Sequence, residues 1–196
     1  QSMRGLQEDA QESPCIAVGV ECFLGQLCAV KLASARRGLV LDAIALGDEA
    51  MRPLLKPVLE NDHVCIVYHS GEGALEWICW EYSIRLGQWA VDVAAHAQAL
   101  DIGWADDKPC LQTLCQWYLA EHLEEGNEAA GWAPGLIPAE KLEGAITRVR
   151  VLLPLKTAIE EARSGRARGK PTPARPPWAL SEPRQAQHPE VAAWRA

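Results

Sequence analysis

The stretch "CIAVGVECFLGQLCAVKLASARRGLVLDAIAL", Cys15 to Leu46, decides the fold. It holds three apolar runs, Cys15–Phe23, Gln26–Ser34 and a third within Arg36–Leu46, rich in Val, Ile and Leu, as strands are. The breaks between them, at Gly25 and at "SARRG", are short enough for hairpin turns, so the three strands are expected to form an antiparallel meander. Downstream the period changes. In "GDEAMRPLLKPVLEND" (47–62) the apolar residues Met51, Leu54, Leu55, Val58 and Leu59 recur at three and four, which predicts a helix. "HVCIVYH" (63–69) is continuously apolar, as a central buried strand would be. Residues 71–87 return to helical spacing, and "QWAVD" (88–92) is a short strand. Asp92 then caps a helix over "VAAHAQAL". A helix is expected over 110–123 and a longer one over 138–163, interrupted at Pro154. Hairpin-linked strands followed by alternating helices and strands make a mixed α/β domain.

On either side of this domain the composition shifts. Residues 1–14, polar and acidic, are expected to be disordered, and they lack the basic-then-apolar pattern of a signal peptide. Residues 164–196 form a basic, Pro-rich tail with six of the 13 prolines, expected to be extended. The tail carries six basic and two acidic residues, against 13 basic and 24 acidic in residues 1–163. An acidic body repels phosphate backbones unless it carries a basic groove or bound metal. No apolar run is long enough to predict a membrane span, so no membrane partner is expected.

The seven cysteines are odd in number, and Cys15, Cys28, Cys65 and Cys79 lie inside apolar segments, which predicts reduced, buried thiols in an intracellular protein, cytoplasmic or nuclear. Only Cys110 and Cys115 are close in sequence, with no matching pair for zinc. There is no P-loop, no G-x-G-x-x-G and no G-x-S-x-G. Of the eight tryptophans, Trp77, Trp80, Trp89 and Trp117 sit in amphipathic segments and are expected in the core. Trp178, in "RPPWAL", and Trp194 lie in the tail, where they are candidate docking anchors for a protein partner.

From about Cys15 to Ile159 the order of elements resembles the ribonuclease D-like 3′–5′ exonucleases, the DEDD group. In that family the first strand ends in D-x-E; here "IAVGVECF" puts Gly19 at the Asp position and keeps Glu21. The second motif has a His, an Asp five residues on, then a Leu; His69 and Leu75 fit, but Ala74 stands at the Asp position. "AVDVAAHA" matches the hydrophobic-Asp step through Asp92. In the third motif Trp132 fits and "GAITRVRVLLPL" runs through Leu155, with Gly144 at the Tyr position and Arg148 at the last Asp position.

The resemblance implies a ribonuclease H-like mixed five-stranded sheet, three antiparallel strands then two parallel, flanked by helices. It implies that active members hydrolyse the terminal phosphodiester with two metal ions held by four carboxylates. This chain offers one of the four, Glu21, which could pair with Arg148 instead. The expectation is a pseudo-exonuclease with no cofactor and no metal, similar to the degenerate domains of piRNA-pathway exonuclease-like and Egalitarian-type proteins. Such a domain is expected to act as a scaffold, an adaptor or a homodimerisation module in a ribonucleoprotein complex. Two alternatives stand beside it. One is RNA binding by the tail through Arg166, Arg168, Lys170 and Arg175. The other is a nuclease with relocated ligands, with Glu72 and Glu143 the nearest acids to the altered positions.

Overall fold

The computed structural model describes residues 3–12, 14–23, 26–69, 72–100, 109–123 and 139–165. The five strands are β1 (Cys15–Phe23), β2 (Gln26–Ala33), β3 (Gly38–Asp42), β4 (Cys65–Tyr68) and β5 (Ala90–Asp92). They form one mixed sheet in the order β3-β2-β1-β4-β5. β1 pairs antiparallel with β2, and β2 with β3, while β4 runs parallel to both β1 and β5. This is the expected sheet, with β1 at its centre.

Alternation along β1 sends residues to two cores. Ile16 and Val18 face one side, where Val30, Leu32 and Ile66 meet Met51, Leu55 and Leu59 of α2 (Ala43–Leu59) and Ile78 of α3 (Glu72–Glu81). Ala17 faces the other side with Ala33 and Val67. There α4 (Val93–Gln98), α5 (Leu111–Leu114), α6 (Ala139–Arg150) and α7 (Leu152–Arg163) supply Val93, Leu114, Val149, Leu155 and Ile159. The result is a sheet between two helical layers.

α6 lies close over the β2–β3 end of the sheet because the residues beneath it are small. A Cβ at Gly38 would sit 2.2 Å from Ile146 Cγ2. Ile146 is β-branched and stiff at χ1, so it yields little. Gly38→Ala is therefore expected to cost about 1–3 kcal/mol by overpacking. Urea unfolding would measure it, and Gly38→Ala in an Ile146→Ala background should cost clearly less.

Several expectations are corrected. Residues 3–12, expected to be disordered, form a helix, α1 (Met3–Glu12), whose Leu6 is only 1% exposed in the first core. The helix expected from Gly47 begins a turn earlier, where the Asp42 carboxylate accepts from Ala45 N at 2.9 Å, and kinks at Gly47, φ 70°. The helix expected over 110–123 is α5 followed by a wider π-helical turn, Cys115–Leu119, stopped by Ala120 in the left-handed conformation. The long C-terminal helix breaks between Arg150 and Leu152, not at Pro154. Proline disrupts the helix at the carbonyl four residues earlier, and Arg150 is that residue. Pro154 itself then sits in the first turn of α7, where no amide hydrogen is needed.

Trp80 and Trp89, expected in the core, are 77% and 59% exposed. The buried side of α3 carries Leu75 and Ile78 and continues to Tyr82, and Trp80 lies two residues from Ile78, on the outer side. Trp117 is buried and Trp77 packs against the first core. No helix among the described residues is long and apolar enough to cross a membrane.

Candidate functional site

Of the residues singled out by the motifs, Gly19 and Glu21 of β1 lie on the α6 side of the sheet with Gly144 and Arg148 of α6, whereas Ala74 and Leu75 belong to α3, which packs on the other side. Gly19 and Glu21 are two apart on β1, so they share a face, and Lys31 of β2 is the register partner of Gly19. Across a pleated sheet such partners point the same way. The β1–β2 register is regular through Glu21, opposite Ala29, and shifts by one residue only beyond it, between Glu21 and Cys22.

Lys31 fills this corner. Its side chain is 6% exposed and its ammonium forms an ion pair with Glu21, itself 14% exposed. A Cβ at Gly19 would lie 3.0 Å from Lys31 Cε, 3.7 Å from Lys31 Nζ and 3.4 Å from Val149 Cγ2 of α6. The lysine thus passes over Gly19 and ends on Glu21, in the space that a side chain at position 19 would enter. Lys31 is a partner of Glu21 that the motif reading did not name. The signal was present in "QLCAVKLAS": one lysine inside an apolar strand has to find an acid when it is buried.

Arg148, half-buried, and Gly144, exposed, both lie on α6. A Cβ at Gly144 would meet nothing within 4 Å, so packing does not enforce glycine there. Ala74 lies in α3, with its side chain outside the described residues, as is that of Glu72. Glu143 is exposed. His69 donates from Nε2 to the Pro109 carbonyl at 2.9 Å, and Asp92 caps α4 by accepting from Ala94 N at 2.9 Å. Trp132 and the tail positions Arg166, Arg168, Lys170, Arg175, Trp178 and Trp194 lie outside the described residues.

The motif positions offer few oxygen ligands to a pair of hard cations. Mg²⁺ and its kind need several oxygen ligands in a tight shell. At the four motif positions stand one carboxylate, a glycine, an alanine and an arginine, and the carboxylate already holds an ammonium. Among the described residues, no three His, Cys, Asp or Glu side chains come together as a metal site.

The cysteines divide three ways. Of the four expected to be buried, Cys28 is, while Cys15, Cys65 and Cys79 are only partly so; Cys115 is buried as well, and Cys22 and Cys110 are exposed. Burial pushes the Cys115 thiol up to about 12 and also raises Cys79.

Comparison with solved structures returns the same architecture. Trypanosoma brucei RNase D is 15% identical, matching over 80% of this chain and 61% of its own, with a TM-score of 0.69. The chain thus spans about three fifths of that RNase D. The Aedes aegypti Nibbler EXO domain is 16% identical over 83% of this chain and 84% of its own, TM-score 0.67. Brucella melitensis NrnC, solved bound to pGG, is 22% identical over 79% and 76%, TM-score 0.62. At these identities the likeness is one of fold, the ribonuclease H-like sheet of exonucleases. A comparison with curated proteins gives no match. The 3′–5′ exonuclease family model matches residues 2–162, from α1 to the end of α7, and the chain belongs to that family.

Proposed function

We propose that this chain is a 3′–5′ exonuclease domain that has lost hydrolysis and serves as a protein-interaction scaffold or adaptor in an RNA-processing or RNA-regulating complex. The observation that carries the reading is Lys31 seated on Glu21 over Gly19. A metal ion approaching Glu21 would have to displace a buried ammonium, and Arg148 adds a second positive charge at a motif position that carries Asp in active members of the family. Neither cation can be offset by Gly19 or Ala74, which bring no oxygen. Trp80 and Trp89 support the scaffold half of the reading. Large aromatic side chains left in water are the residue type that protein interfaces cover. The second reading is a salt-sensitive contact with RNA through Arg166, Arg168, Lys170 and Arg175 of the basic tail.

Calorimetry of the full chain with Mg²⁺ and Mn²⁺, followed by digestion of labelled single-stranded RNA on the same sample, tests the loss of hydrolysis. The expected result is no heat of binding and no 3′ shortening. Metal-dependent trimming that Glu21→Gln abolishes would mean that the ligands have been relocated and the chain is an enzyme. For the scaffold half, a protein recovered with the wild-type chain should be lost with Trp80→Ser/Trp89→Ser, while both metal and RNA results stay unchanged.

A further inference from the structure

Cys15 and Cys65 begin the two neighbouring central strands, β1 and β4, and are register partners across the parallel ladder. Partners in parallel strands project to one face of the sheet, and neighbouring strands lie about 4.7–4.9 Å apart. That spacing falls within the Cα separation of about 4.4–6.8 Å that a disulfide spans. Both thiols are free, and both are half-buried at the margin of the core formed with α7.

The pair is chemically unequal. The neighbouring Cys65 thiol, the largest influence, and the positive charge of Lys156 of α7 pull Cys15 to about 6 despite burial and the opposing charge of Glu160. The same interaction with its neighbour, followed by burial, pushes Cys65 up. Lys156 is itself held by Glu160 at 2.8 Å, so its ammonium is anchored beside the pair. A thiolate next to a cation, with a second thiol in reach, is the arrangement of an attacking and a resolving cysteine.

We propose that Cys15 and Cys65 form a peroxide-responsive dithiol, with Cys15 attacking and Cys65 resolving to a disulfide that ties β1 to β4. The Cys15 sulfur attacks one oxygen of a hydroperoxide. The O–O bond breaks, Cys15 becomes a sulfenic acid, and the departing oxygen takes up a proton from solvent. The Cys65 thiol then gives up its proton and attacks the Cys15 sulfur. The S–S bond forms, the S–O bond breaks, and water leaves. Two thiols are oxidised and one peroxide is reduced. Nothing in this chemistry depends on whether the domain cleaves RNA.

The test is hydrogen peroxide at near-equimolar dose on the full reduced chain, quenched with iodoacetamide and mapped by peptide mass. The expected product is a single crosslink between the Cys15 and Cys65 peptides, reversed by dithiothreitol. In Cys65→Ser, dimedone should capture a sulfenic acid on Cys15. In Cys15→Ser, the rate of thiol loss should fall at least tenfold. Lys156→Met should move the pH midpoint of Cys15 alkylation upward. A crosslink at other cysteines, or a Cys15 that alkylates no faster than Cys79 at neutral pH, would overturn the assignment.

Discussion

Lys31→Met is expected to cost the domain about 3–5 kcal/mol, the usual penalty for removing one member of a buried ion pair. Lys31 is 6% exposed and Glu21 14%, so water screens the pair far less than it would a surface pair. Methionine keeps most of the lysine's length over Gly19, where the stem already approaches closely, so the loss measures the charge more than the packing. Glu21→Gln should be costly for the reciprocal reason, since it leaves the ammonium without its carboxylate. The double variant Lys31→Met/Glu21→Gln should recover most of the stability, because removing both charges also removes the need to desolvate them. Urea unfolding of the four proteins gives the coupling directly. A single-variant cost below about 1 kcal/mol would place the pair in the class of solvated surface bridges. It would also free Glu21 for other ligands, and the proposed reason for lost hydrolysis would fail with it.

What the sequence revealed followed the residues whose partners are local. The β1–β3 meander was legible because each strand is apolar and each turn is short. The Asp92 cap was legible because an acid immediately precedes the apolar start of α4. Gly19, Glu21, Ala74, Gly144 and Arg148 were read as motif residues from their spacing along an element. Lys31 was not, because its role is fixed by cross-strand register, and register becomes visible only once Gly19 is known to face it. Trp80 was misplaced because an aromatic in an amphipathic segment was counted as core without asking which side Leu75 and Ile78 occupy. The break before α7 was placed at Pro154, when the disruption a proline causes lies four residues upstream. Cys15 and Cys65 are 50 positions apart, and only the parallel pairing of β1 with β4 brings them together.

Leu6→Ala is expected to cost about 2–5 kcal/mol, a large share of the roughly 5–15 kcal/mol that holds a domain of this size together. "MRGLQEDAQE" is dense in polar residues, and that density made the segment read as disordered. Its apolar residues nevertheless fall at Met3, Leu6 and Ala10, a spacing of three and four that puts them on one side of a helix. The polar side is also tied down. The Asp9 carboxylate, buried, accepts from Ser34 Oγ at 2.5 Å and faces Arg37 Nε at 3.8 Å. Arg37 crosses α1 so closely that a Cβ at Gly5 would strike its guanidinium. Asp9→Ala should cost less than Leu6→Ala, because the Ser34 hydroxyl can turn its proton to the Arg37 carbonyl, 3.4 Å away. Deleting residues 1–13 should cost more than either, since it uncovers Ile16 and Val58 together. Urea midpoints of the three variants order these costs. If the deletion left the midpoint unchanged, α1 would be an accessory to the domain. If it fell as expected, the family's core in this chain begins with a helix before its first strand, and any attempt to assay the domain from Cys15 onward would be testing a partly unfolded protein.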